Sequence, residues 1–294
     1  MAASWRELDV TTSDGRTVRT AAFGPDSGVP IVWHHGNPGS RLAPVSEAVL
    51  EAAGVRLITY DRPGGGASDP LPGRRIASSS GDVAAVAEAW GITRFGTAGF
   101  SGGGSFALAT AALLGNRVFA AAVLSGAGPI DAKGLDFTAG MSGASADAAD
   151  GDVELERSAL LLEMEPNRQA ILSDPHKALA GFVEEWPEAD RNALLSREIS
   201  IPIVEGMAEC VRLSAEGWLD DSIAFYQPWG FDVAGISVPV AIWHGRDDTA
   251  APFTHGQWLA NHIPGCNLHE LEGGHYAAYI TMPDALRWLI SHSR

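Results

Sequence analysis

Positive charge is scarce in this chain. Its 294 residues carry 20 Lys and Arg against 36 Asp and Glu, a formal net charge of −16. Nucleic-acid binding needs clustered Lys and Arg to neutralise phosphates, so that class of partner is excluded. The same imbalance argues against attraction to an anionic membrane surface. Cysteine is scarcer still, with only Cys210 and Cys266, far apart and without C-x-x-C or metal-ligand spacing. They read as reduced structural thiols of a cytoplasmic protein. The nine histidines form no H-x-H, H-E-x-x-H or Cys/His cluster, so neither a metal nor another cofactor is expected. No uncharged apolar run reaches the ~18 residues that suggest a membrane span. The first residues also lack the apolar stretch of a secretory signal.

Apolar residues are plentiful, at 46% of the chain with nine tryptophans, which fits a large buried core. Residues 5–10 and 16–23 flank Thr12-Ser13-Asp14-Gly15, a hairpin signal. Apolar runs at 30–34, 55–61, 95–100, 118–127, 239–244 and 267–271 then read as buried strands. Helical spacing at 40–53, 80–90, 102–114, 253–262 and 275–291 alternates with them. Strands apolar throughout and alternating with helices predict a mostly parallel central sheet with helices on both faces. The texture changes after Gly128: helical spacing recurs at 153–163, 174–185, 188–196, 205–214 and 220–226, and 134–151 reads as a mobile loop. The expected architecture is an α/β core, residues 1–128 and 236–294, interrupted by a helical cap over 129–235.

The chemistry sits in the loops after the strands. Gly99-Phe100-Ser101-Gly102-Gly103 joins a strand to a helix, the place where a sharp turn projects a serine hydroxyl clear of the sheet. A serine needs a base, and the base needs a carboxylate to orient it. Both follow in order. Gly245-Arg246-Asp247-Asp248-Thr249-Ala250-Ala251-Pro252 follows the strand 239–244, and Glu272-Gly273-Gly274-His275 follows 267–271. An oxyanion needs two backbone donors. Gly102, after the serine, supplies one; the loop His35-Gly36-Asn37-Pro38-Gly39 supplies the other. There Asn37 is the natural donor, because Pro38 has no N–H. His34 stands beside that loop, at the edge of the site. The glycines of Asp61-Arg62-Pro63-Gly64-Gly65-Gly66-Ala67-Ser68 are followed by no Lys-Ser/Thr and read as scaffold, with Asp61 or Arg62 bracing strands.

In these five loops the chain resembles the α/β-hydrolase superfamily of capped serine esterases, lipases and relatives, over nearly its whole length. The resemblance implies Ser101 as nucleophile, His275 as base, and the amides of Asn37 and Gly102 as oxyanion hole. It also implies a lid over the pocket and a cis Asn37–Pro38 bond. The family's G-x-x-D-x-x-x-P pattern selects Asp248 as the acid, with Asp247 a neighbour and Asp131 the reserve. Relatives that open alkyl halides or epoxides attack with aspartate, so the serine disfavours that chemistry. Prolyl aminopeptidases usually carry tryptophan after the serine, where this chain has Gly102. The expected activity is hydrolysis of a small or medium carboxylic ester through an acyl-enzyme, by a monomer or homodimer. An aminopeptidase or amidase, and a non-hydrolytic ligand-binding protein or lyase on the same scaffold, are the alternatives. The lid aromatics Phe182, Trp186, Trp218, Phe225, Tyr226 and Trp229 make an apolar pocket if they face Ser101. Ser101→Ala and His275→Ala should each abolish nearly all turnover, with the double variant little worse, because such residues act as a unit. Turnover assays of the three variants check this, and additive losses would contradict it.

Overall fold

The computed structural model describes residues 5–142 and 157–293. The eight strands are β1 (Arg6–Thr11), β2 (Thr17–Phe23), β3 (Val29–His34), β4 (Val55–Tyr60), β5 (Phe95–Phe100), β6 (Val118–Leu124), β7 (Val240–Gly245) and β8 (Asn267–Leu271). They form one sheet in the order β1-β2-β4-β3-β5-β6-β7-β8. β1 and β2 pair antiparallel, as does β2 with β4, and every later pairing is parallel. The apolar runs become strands, and the central ones are covered on both faces: β6, Val-Phe-Ala-Ala-Ala-Val-Leu, is buried throughout, whereas β8, expected to be buried, is the sheet's edge strand and largely exposed.

Alternation along the strands sorts the core into two layers. Ile31, Trp33, Leu57 and Trp243 point to one face, where α1 (Glu47–Ala53) and α11 (Met282–Ser291) supply Leu50, Leu286 and Leu289. Val32, Ile58, Val240 and Ile242 point to the other face. There α2 (Ser79–Ala89), α3 (Gly103–Leu113) and α9 (Phe253–His262) bring Val83, Phe106 and Leu259. Between β6 and β7 the described residues form helices and no strand: α4 (Arg157–Ser173), α5 (Pro175–Phe182), α6 (Glu188–Ala193), α7 (Arg197–Cys210) and α8 (Glu216–Phe225). The helix expected over 153–163 and the loop over 134–151 lie partly outside the described residues.

The helix expected over 205–214 spans Arg197–Cys210 and the one expected over 153–163 runs on to Ser173; two others are shortened or divided, each for a reason involving proline. The helix expected over 40–53 is confined to α1. Pro44 has no amide for a helical ladder, and the Arg41 amide instead donates to Asp61 Oδ1 at 2.7 Å. The single helix expected over 275–291 is two, α10 (His275–Ile280) and α11, because Pro283 breaks the backbone ladder between them. α7 runs through Pro202.

The turn from β5 into α3 depends on bare backbone. A Cβ on Gly99 would collide with the carbonyl of Gly103. Gly99→Ala should therefore cost about 1–3 kcal/mol of stability through overpacking that rotamer changes cannot relieve. Urea unfolding measures it, and wild-type stability would show that helix and strand can separate freely.

Candidate active site

Ser101 follows β5 with φ 54°, in the left-handed region that non-glycine residues rarely enter. Its amide donates to the Leu124 carbonyl at 2.8 Å and its carbonyl accepts from the Gly104 amide at 2.9 Å. The turn is thus bolted to β6 and to α3, and this over-determination is what holds a strained residue in place. Beside it, Gly102 is where Phe225 of α8 packs: a Cβ on Gly102 would strike the Phe225 ring.

The loop after β3 is shaped by Arg62. The buried guanidinium donates to the carbonyls of His35 at 2.7 Å and Gly36 at 2.8 Å. In a trans peptide the C=O and N–H point in opposite directions. With the Gly36 carbonyl turned to Arg62, the Asn37 amide of the same peptide is turned away from it. Among the described residues no acceptor faces the amide of Asn37 or of Gly102. Asn37–Pro38 is cis. The Asn37 side chain donates to Ser222 Oγ of α8 at 3.0 Å. His34, expected at the edge of the site, is instead buried in the core between Tyr60 and Thr97; its neighbour His35 lines the cavity. Burial, with Arg62 close by, pushes the His35 imidazole down to about 3.

Asp248 lies buried past β7. Its Oδ1 accepts from the amides of Ala250 and Ala251, both at 2.9 Å. Its Oδ2 accepts from Nδ1 of His275 at 2.8 Å. An ionised carboxylate can only accept, so Nδ1 carries the proton and Nε2 of the neutral ring keeps its lone pair. Burial opposes ionisation of Asp248, but the neighbouring imidazoles of His275 and His244, with their hydrogen bonds, hold its carboxyl well below the usual range. Asp247 and Asp131, the other acids considered, are both exposed. The His275 ring is packed edge-on between Phe100, 4.9 Å away, and Trp186 at 5.3 Å.

Ser101, Asn37, Gly102 and His275 line one cavity of about 1170 Å³. No hydrogen bond joins Ser101 Oγ to His275, a contact that often tightens only when substrate is bound. All six aromatics singled out from the sequence, Phe182 to Trp229, line the same cavity. Among its described lining residues there is no Lys or Arg, whereas Glu163, Glu184 and Glu185 are present.

Sequence reasoning missed three polar residues around this cavity. Asp221 of α8 accepts from Arg62 Nε at 2.7 Å and from Arg74 at 2.6 Å. Asp190 of α6 accepts from the amides of His275 and Tyr276. Ser125, left-handed at φ 49°, donates from Oγ to the His275 carbonyl at 2.9 Å. The adjacent acids Asp220-Asp221, set among Trp218, Leu219 and Ile223, were the one available signal, since acids on a core-facing stripe need partners.

Comparison with known proteins bears on the fold. The family model described as alpha/beta hydrolase fold matches residues 29–280. A non-heme chloroperoxidase of Streptomyces lividans is 28% identical over 94% of this chain and 95% of its own. A bifunctional esterase/perhydrolase of Acinetobacter calcoaceticus is 28% identical over 83% of each. An esterase from a Rhodococcus species shares the fold with TM-score 0.68 and 23% identity, covering 98% of this chain and 99% of its own.

The Asp221 carboxyl carries a pH signature. Burial would raise its pKa, but Arg62 and Arg74 hold it below the ordinary value. A carboxyl lowered in the folded state stabilises fully above the unfolded value of ~3.9 and loses that contribution as pH falls through the native value. Asp221→Asn should cost about 3–5 kcal/mol at pH 7 by leaving buried arginines unpaired. Its deficit should shrink as pH drops below about 4. Unfolding curves across pH check this, and a deficit constant with pH would refute it.

Proposed function

The chain belongs to the alpha/beta hydrolase fold family, and from that premise we propose that it is a serine hydrolase of small or medium carboxylic esters. Residues 129–235 act in this reading as a cap over the core 1–128 and 236–294. The observation that carries it is the Asp248–His275 hydrogen bond in the cavity that Ser101 lines. His275 Nε2 takes the Ser101 proton as Oγ attacks the ester carbonyl carbon. The carbonyl oxygen becomes an oxyanion that accepts from the Asn37 and Gly102 amides. Collapse expels the alcohol, which takes its proton from His275, and leaves an acyl-serine. Water, deprotonated by the same imidazole, then releases the acid and restores Ser101. Asp248 stays ionised throughout and balances the imidazolium.

A second reading shares the acyl-enzyme. If hydrogen peroxide replaces water, the acyl group leaves as a peroxycarboxylic acid and Ser101 regains its proton. The names of the Streptomyces and Acinetobacter relatives favour testing for it. Phe225, packed where a side chain at position 102 would go, weighs against the aminopeptidase alternative.

A fluorophosphonate should label Ser101, and short neutral p-nitrophenyl esters should be hydrolysed. No adduct and no hydrolysis would overturn the proposal in favour of a ligand-binding protein. Because carboxylates but no Lys or Arg are among the cavity's described lining residues, the p-nitrophenyl monoester of glutaric acid should react at least about tenfold more slowly than the butyrate, as one uncompensated like-charge contact demands. Equal kcat/KM values would contradict that electrostatic selectivity.

A further inference from the structure

His275 is the first residue of α10, so its imbalance of backbone partners matters: the first amides of a helix have no intrahelical acceptor. Helices usually satisfy them with a side chain just upstream. Here the upstream residue is Gly274, which has none. The acceptor comes instead from α6, 85 residues away, where Asp190 Oδ2 takes the His275 amide at 3.0 Å. Asp190 Oδ1 takes the Tyr276 amide at 2.8 Å. A Cβ on Gly274 would collide with that carboxylate. The glycine before the histidine, which reads in sequence as a flexible turn, makes room for an acid from a distant helix.

The carboxylate is buried, at 1% exposure, and among the described residues no Lys or Arg pairs with it. Burial raises its pKa and the two amides and His275 only partly offset this, with Asp248 adding to the rise. A neutral cap would satisfy the helix at less cost. What the carboxylate adds is a two-point grip on the residue whose ring must be aimed. His275 is then fixed at its amide by Asp190, at its carbonyl by Ser125 Oγ, and at Nδ1 by Asp248.

We propose that Asp190 is a positioning residue for His275, through which the seating of α6 sets the aim of the imidazole. Asp190 touches no reacting atom; it acts by holding the backbone of the base. The inference rests on the serine-hydrolase reading for its effect on rate, but its structural effect on the His275–Asp248 bond stands apart from that reading.

The test compares wild type with Asp190→Asn, and with Asp190→Ser should the first variant not fold. Two readouts are taken: turnover of p-nitrophenyl butyrate, and the low-field proton resonance of the His275 Nδ1–Asp248 hydrogen bond. The expected result is a folded variant whose kcat falls roughly tenfold or more with KM nearly unchanged, as small misplacements of a catalytic group produce. Its low-field resonance should shift or broaden. A folded variant with wild-type kcat and an unmoved resonance overturns the proposal, and so does a resonance unmoved while only thermal stability falls. If wild type itself neither hydrolyses esters nor takes a fluorophosphonate, the serine-hydrolase reading fails, and the resonance alone decides the role of Asp190.

Discussion

The contact between Asp221 and Arg62 carries more of this structure than any other single pair. Burying both ions is expensive, and an apolar pair of the same volume could match it in stability. What an apolar pair lacks is direction. The guanidinium offers five donors in a fixed plane, and here they are spent on Asp221 and on the His35 and Gly36 carbonyls. Its face covers the Phe106 ring at 4.4 Å. Lysine could not make these bonds in one plane. The orientation of the Asn37 amide therefore traces back to a carboxylate on α8.

The helices between β6 and β7 thus do more than roof the cavity. α8 brings Asp221 to the Arg62 that shapes the Asn37 loop, Ser222 to the Asn37 side chain, and Phe225 to Gly102. α6 brings Asp190 to the His275 backbone. Asn37, Gly102 and His275 each have their backbone in the α/β layer and a brace in these helices. Under the proposed reading, exchanging them between relatives would change how the reacting groups are aimed as well as what the pocket accepts.

The sheet was legible from sequence because its central strands are predominantly apolar runs, a pattern set by burial on both faces. Ser101, Asn37, Asp248 and His275 were legible because each sits in a loop whose local composition serves its own turn. Asp248 was preferred to Asp247 only through the pattern of the resembled family, and Asp248 is the one of the two that is buried and bonded to His275. The division at Thr281 and the short α1 were hidden because apolar periodicity continues across a proline that the backbone ladder cannot. The partners of Arg62, Asp190 and Asp221 were hidden for another reason. The Asp190–His275 and Arg62–Asp221 contacts join residues 85 and 159 positions apart, and a charged side chain looks the same in sequence whether it meets water or a buried partner.

Selectivity in such a cavity has two unequal sources. Its aromatic wall recognises apolar bulk, but one methylene more or less in an apolar pocket is worth only about 1–3 kcal/mol. At about 1170 Å³ the space is slightly larger than a pocket shaped to one drug-sized ligand, ~300–1,000 Å³. Shape therefore grades substrates gently. Charge grades them more sharply, because an anion entering an apolar space loses its water and meets no cation among the described lining residues. The sharpest discrimination under the proposed reading falls on the carbonyl itself, which must fit between Ser101 and two amides whose directions are fixed by Arg62 and by the left-handed turn. A tolerant pocket around an intolerant centre predicts an enzyme selective for the bond and permissive toward its neutral substituents.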